Sequence, residues 1–105
     1  MFDELSSNLH KIAVEKGFWN EDINDIFITK QLMMIVSEAV EVMEAIRKDK
    51  GADAIADEMA DIIIRTMDLY GGLVEHGYTH VSLDYALRNK IRFNEDRPER
   101  HGVRF

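Results

Sequence analysis

Two long stretches, residues 27–48 and 53–76, repeat apolar residues at the spacing of an α-helix. In the first, Leu32, Ile35, Val36, Ala39, Val42, Met43 and Ile46 form one stripe; in the second, Ile55, Met59, Ile62, Ile63, Thr66, Tyr70 and Leu73 form another. No segment alternates with period two for long, so no sheet is expected and the fold class is all-α. Residues 2–16 carry a shorter helical pattern (Phe2, Leu5, Leu9, Ile12, Ala13), with Gly17 placed to close it. "FWNEDIND" (18–25) reads as a loop, and "KDKG" (48–51) ends the second helix. Asp53 is the expected N-cap of the third helix, which either ends or bends at Gly71-Gly72 or runs on to His76. Ser82 is the expected cap of a fourth helix ending near Glu95.

The 105 residues suit one domain spanning 1–105, but four helices in so short a chain leave a thin core. Two short helices are a poor cover for two long apolar ones, so self-association is expected. The opening "MFDELSSNLHK" is acidic and lacks an apolar h-region, which argues against a secretory signal. No apolar run approaches membrane-spanning length, and a cytoplasmic protein without a membrane partner is expected. A net charge of −7 argues against a nucleic-acid polymer as ligand, and the absence of cysteine removes thiolate metal sites and thiol nucleophiles.

The acids are arranged in a pattern. Glu38 and Glu41 stand three apart on the second helix, and Glu58 and Asp61 stand three apart on the third. Residues three apart on a helix project from one face. Both pairs flank their apolar stripes, so antiparallel packing of the two stripes brings four carboxylates together. Like charges at such range repel and raise one another's pKa. A hard divalent cation removes the conflict, and Mg²⁺ takes oxygen ligands and commonly keeps substrate phosphates among them. A single E-x-x-E is ordinary surface charge, and Glu44 with Lys48 is expected to be an ordinary i,i+4 pair. Two acid pairs at matching offsets on consecutive helices ask for more than that.

The fourth helix adds cations. Leu83, Leu87 and Ile91 mark an inward stripe on which Lys90 and Asn94 also fall; either both face a polar cavity and bind an anion there, or Lys90 snorkels to water and Asn94 frays the helix end. Arg97, Arg100, His101 and Arg104 follow. His10, His76 and His80 show no ligand spacing and read as solvated or capping residues.

These residues together resemble the all-α nucleoside triphosphate pyrophosphohydrolases, the superfamily that includes MazG. The carriers are E38-x-x-E41, sixteen intervening residues, then E58-x-x-D61, and the ending K90-x-x-x-N94-x-x-R97-P98-x-x-H101-G102. "KGFW" (16–19) extends the resemblance to nearly the whole chain. Ser37 and Val40 stand where MazG sequences often carry a glutamate and a glycine, a departure that touches substrate preference more than the four carboxylates. The resemblance implies a four-helix MazG-type bundle completed by oligomerisation, as a homodimer or homotetramer. It implies that Glu38, Glu41, Glu58 and Asp61 coordinate Mg²⁺, with Mn²⁺ able to substitute. The substrate would be a nucleoside triphosphate, a deoxynucleotide foremost, cut by an activated water to the monophosphate and pyrophosphate. Glu41 would orient that water, and Lys90, Asn94 and Arg97 would contact phosphate oxygens. Phe18 and Trp19 precede the metal helices; Trp19 is the candidate to stack on the base, the alternative being a core or interface residue.

Other chemistries fail on residue grounds. No glutamate has a histidine three residues on, as a di-iron bundle requires, and neither H-E-x-x-H nor a Walker A loop occurs. The alternative of another class is a non-catalytic helical module that binds nucleotide or a partner protein, its acids being solvated edge charges.

Overall fold

A computed structural model describes residues 1–97. The tail positions Pro98, Arg100, His101, Gly102 and Arg104 lie outside the described residues. Within them the chain is all-α: α1 (Phe2–Glu15), α2 (Asp25–Arg47), α3 (Ala52–Glu75) and α4 (Leu83–Asp96). α3 is the hub, with α1 and α2 packed on it and α4 resting on α1. The radius of gyration is 16.1 Å, against about 13 Å for a compact domain of this length. The bundle is therefore open. No described helix is long and apolar enough to cross a membrane.

The helix ends follow local chemistry. Asn24 caps α2 by accepting a hydrogen bond from the Phe27 N–H at 2.9 Å, and Ser82 caps α4 through the Tyr85 N–H at 3.1 Å. Gly17, at φ +86°, closes α1 as expected. The start of α3 differs from expectation: Gly51 holds the cap position, and Asp53 sits inside the first turn. There its charge still meets the positive end of the helix.

α3 runs unbroken through Gly71-Gly72 to Glu75. The glycines let other chain segments come close. A Cβ on Gly72 would lie 2.1 Å from the Trp19 ring, and one on Gly71 would lie 2.5 Å from the His10 Cβ. Trp19, from the segment expected to be a loop, is thereby drawn into the core with Ala13, Phe27, Ile28 and Leu69.

Much of the two long stripes has no cover. Leu32, Val36, Met43 and Ile46 on α2, and Met59 and Ile63 on α3, are each about half exposed or more. The inward stripe of α4 is also corrected. Leu87, Ile91, Lys90 and Asn94 are exposed, because α4 touches the bundle mainly through its N-terminal turn. That turn is held by a reciprocal clasp. Asp3 accepts from the Leu83 N–H at 2.6 Å and from the Ser82 hydroxyl. Asp84 accepts from the Phe2 and Asp3 N–H groups at 2.8 and 3.1 Å and from the Met1 ammonium at 2.8 Å. Each helix N-terminus is thus capped by a carboxylate from the other.

Candidate metal centre

The turn over 48–51 folds α3 back along α2, and the two acid pairs meet at the resulting seam. One carboxylate oxygen from each of Glu38, Glu58 and Asp61 lies within 4.8 Å of the other two. Glu41 stands close enough to be among the charges acting on Glu58, but it is exposed and outside this trio. Partial burial pushes the Glu58 carboxyl above its ordinary pKa, and the neighbouring charges of Asp61, Glu41 and Glu38 add to the push. Glu38 has a partner: its Oε1 accepts from the Arg65 Nε at 2.9 Å. Arg65 follows Asp61 by four residues, on the same helix face. The sequence carried that signal, and the acid-centred reading passed over it.

The donor set suits a hard cation. Three carboxylates from two helices offer oxygen alone, and oxygens on opposite corners of a Mg²⁺ octahedron lie about 4.2 Å apart. Only one pair among three ligands can be opposite, and adjacent oxygens lie about 3.0 Å apart, so chelation would draw the trio closer together. A cleft of about 640 Å³ opens beside it, with Glu38, Asp61, Arg65, Asp68, Lys30 and Phe18 among its walls.

No family model, curated protein or solved structure matches this chain.

The other expected site residues lie elsewhere. Lys90, Asn94 and Arg97 line no wall of this cleft. Along α4 and just beyond it, Lys90 and Arg97 lie over the Phe93 ring, at 5.5 and 5.2 Å from its centroid. Trp19 is buried, edge-on to His10 and stacked near His76. It reaches the cleft only through Asp68, whose Oδ1 accepts from the Trp19 Nε1 at 3.0 Å. Phe18, 67% exposed, is the aromatic at the cleft wall. His10 corrects its expectation: it is buried, with Nδ1 2.9 Å from the same Asp68 oxygen and Nε2 unpartnered. A hydrophobic stripe gives no warning of such a residue, since His10 sits one position behind Leu9 and reads as surface.

A larger cavity, about 900 Å³, lies between α1, the end of α3 and the segment that follows it. Its walls include His10, Trp19, Tyr70 and His76 and none of the clustered carboxylates. The cleft between α1, α2 and α3 is where part of the cluster, Glu38 and Asp61, meets open space. Glu44 is ordinary by comparison. Arg47 at 2.9 Å, with help from Lys48, holds its carboxyl below the usual range.

Proposed function

We propose that this chain hydrolyses nucleoside triphosphates, deoxynucleotides foremost, to the monophosphate and pyrophosphate in a Mg²⁺-dependent reaction, as the resemblance to MazG-like pyrophosphohydrolases implies. The observation that carries the reading is the convergence of Glu38, Glu58 and Asp61 from two helices beside an open cleft. Glu38, Glu58 and Asp61 hold the cation, with Glu41 joining as a second-side ligand or orienting the attacking water. Mg²⁺ or Mn²⁺, when bound, supplies the positive charge that neutralises the triphosphate and polarises the phosphorus under attack. Glu41, exposed and outside the trio, is the carboxylate free to take a proton from an incoming water. Phe18 offers a ring face to a nucleobase at the same cleft, and Trp19 supports the wall from behind through Asp68.

Self-association belongs to the same reading. The exposed stripe of α2 and α3 is the surface a second copy would cover, giving a homodimer or homotetramer. Lys90, Asn94 and Arg97 would then contact phosphate from a neighbouring copy, because within one chain they stand away from the cleft. A cytoplasmic location follows from the substrate.

The rival is a non-catalytic module that docks a partner on the exposed α2–α3 stripe. A panel of nucleoside triphosphates with Mg²⁺, its products separated by chromatography, decides between them. Monophosphate with pyrophosphate is the expected result. No turnover of any nucleotide at high protein concentration would sink the enzyme reading.

A further inference from the structure

Arg65 has no part in the function so far described, yet among the described residues it is the cation that touches the acid cluster. Glu58, Asp61 and Arg65 stand at i, i+3 and i+7 on α3, so one face presents two acids and then a guanidinium. Arg65 engages Glu38 across the seam through Nε alone. Among the described residues its terminal amino groups have no hydrogen-bond partner, and the side chain is 38% exposed at the cleft wall. At the C-terminal end of α2, Arg47 and Lys48 are committed to Glu44, and beyond it Lys50 acts on Glu58 as a neighbouring charge.

Resting on the proposed function, we infer that Arg65 is a phosphate-binding residue of the cleft, held on Glu38 until cation and triphosphate arrive. A guanidinium keeps its charge at every accessible pH, so it cannot shed a proton to make room for a metal ion. A divalent cation at Glu38 competes for the same lone pairs and repels the guanidinium. The triphosphate entering with that cation is an anion able to receive it, in competition with Asp68, three residues on and also at the cleft wall. The triphosphate oxygens match the planar fork of Arg65, which can donate two parallel hydrogen bonds where a lysine offers a point charge. Lys30, paired with Glu21 at 3.4 Å, stands on the wall of the same cleft as a second cation. Phosphate contacts from this chain's own α2 and α3 then add to those proposed from a neighbouring copy.

The test is calorimetric titration of the full chain, and of Arg65→Gln and Arg65→Lys, with Mn²⁺ alone and then with inorganic tripolyphosphate in saturating Mn²⁺. Circular dichroism first confirms equal helicity. Arg65→Gln is expected to bind Mn²⁺ severalfold more tightly, since Glu38 is released, and tripolyphosphate about tenfold more weakly. Arg65→Lys is expected to recover part of the tripolyphosphate affinity. A residue that only ties α2 to α3 moves both affinities down together, and that result overturns the inference. Unchanged tripolyphosphate binding in Arg65→Gln overturns it as well, while leaving the proposed function intact if the wild-type protein turns nucleotide over. Wild-type protein that binds neither Mn²⁺ nor tripolyphosphate overturns both.

Discussion

Two acid clusters sit at helix junctions in this chain, and they are built in opposite senses. At the α1–α4 clasp, Asp3 and Asp84 each face the N-terminus of the other's helix. The Met1 ammonium, with the Phe2 and Asp3 N–H groups, holds the Asp84 carboxyl well below the usual carboxylate range. At the α2–α3 seam, Glu38, Glu58 and Asp61 face one another, and Glu58 is pushed up. The first cluster stabilises the fold as it stands. The second opposes it, with Arg65 as partial relief. On the proposed reading the difference is functional: the clasp is complete without a ligand, and the seam is not.

The contrast can be broken most forcefully through turnover. Glu58→Gln, Asp61→Asn and Glu41→Gln are each expected to lower nucleotide hydrolysis by about a hundredfold or more, read by chromatography of products. Asp84→Asn should leave hydrolysis per folded molecule far less affected. It should instead loosen α4, seen as faster hydrogen exchange of the amides of Leu83–Asp96. Equal loss of activity in both sets would erase the distinction drawn here.

A packing change gives a smaller effect. Gly72→Ala sets a Cβ against the Trp19 ring and should destabilise by about 1–3 kcal/mol in urea melts. Removing the α2 cap in Asn24→Ala should cost about 1 kcal/mol.

The pH response should be smaller still and opposite in sign at the two clusters. Asp84 has a folded pKa below the ordinary aspartate value of 3.8. Its stabilisation is present above that value and fades as pH falls through the folded pKa. Glu58 has a folded pKa above the ordinary glutamate value of 4.5. Its unfavourable contribution is present above the folded pKa and is relieved as pH falls toward 4.5. In metal-free buffer, Glu58→Gln should therefore melt above wild type at neutral pH, and the gap should narrow on mild acidification. Asp84→Asn should melt below wild type, with a gap that narrows only in stronger acid. Parallel curves for the two variants would contradict the assignment.

The helices were legible because period, caps and closing glycine agreed, as at Ser82 and Gly17. The acid pairs were legible because i,i+3 spacing survives whatever the packing angle. What escaped depends on contacts between distant segments. Trp19 is drawn inward by the absence of side chains at Gly72, fifty-three positions later. His10 is buried by Asp68 in the same way. The α4 stripe misled because periodicity shows which residues share a face, not which helix will cover it. The thin core expected from chain length is visible in the half-exposed apolar stripe of α2 and α3.

The central claim is that the seam carboxylates are a cation site. Thermal melts of wild type and Glu58→Gln, without and with millimolar Mg²⁺, test it most directly. A native-state ligand raises the melting temperature in proportion to its occupancy. The account predicts that Glu58→Gln is the more stable of the two without Mg²⁺, and that wild type alone gains markedly when Mg²⁺ is added. No gain in wild type, or an equal gain in both, would contradict it.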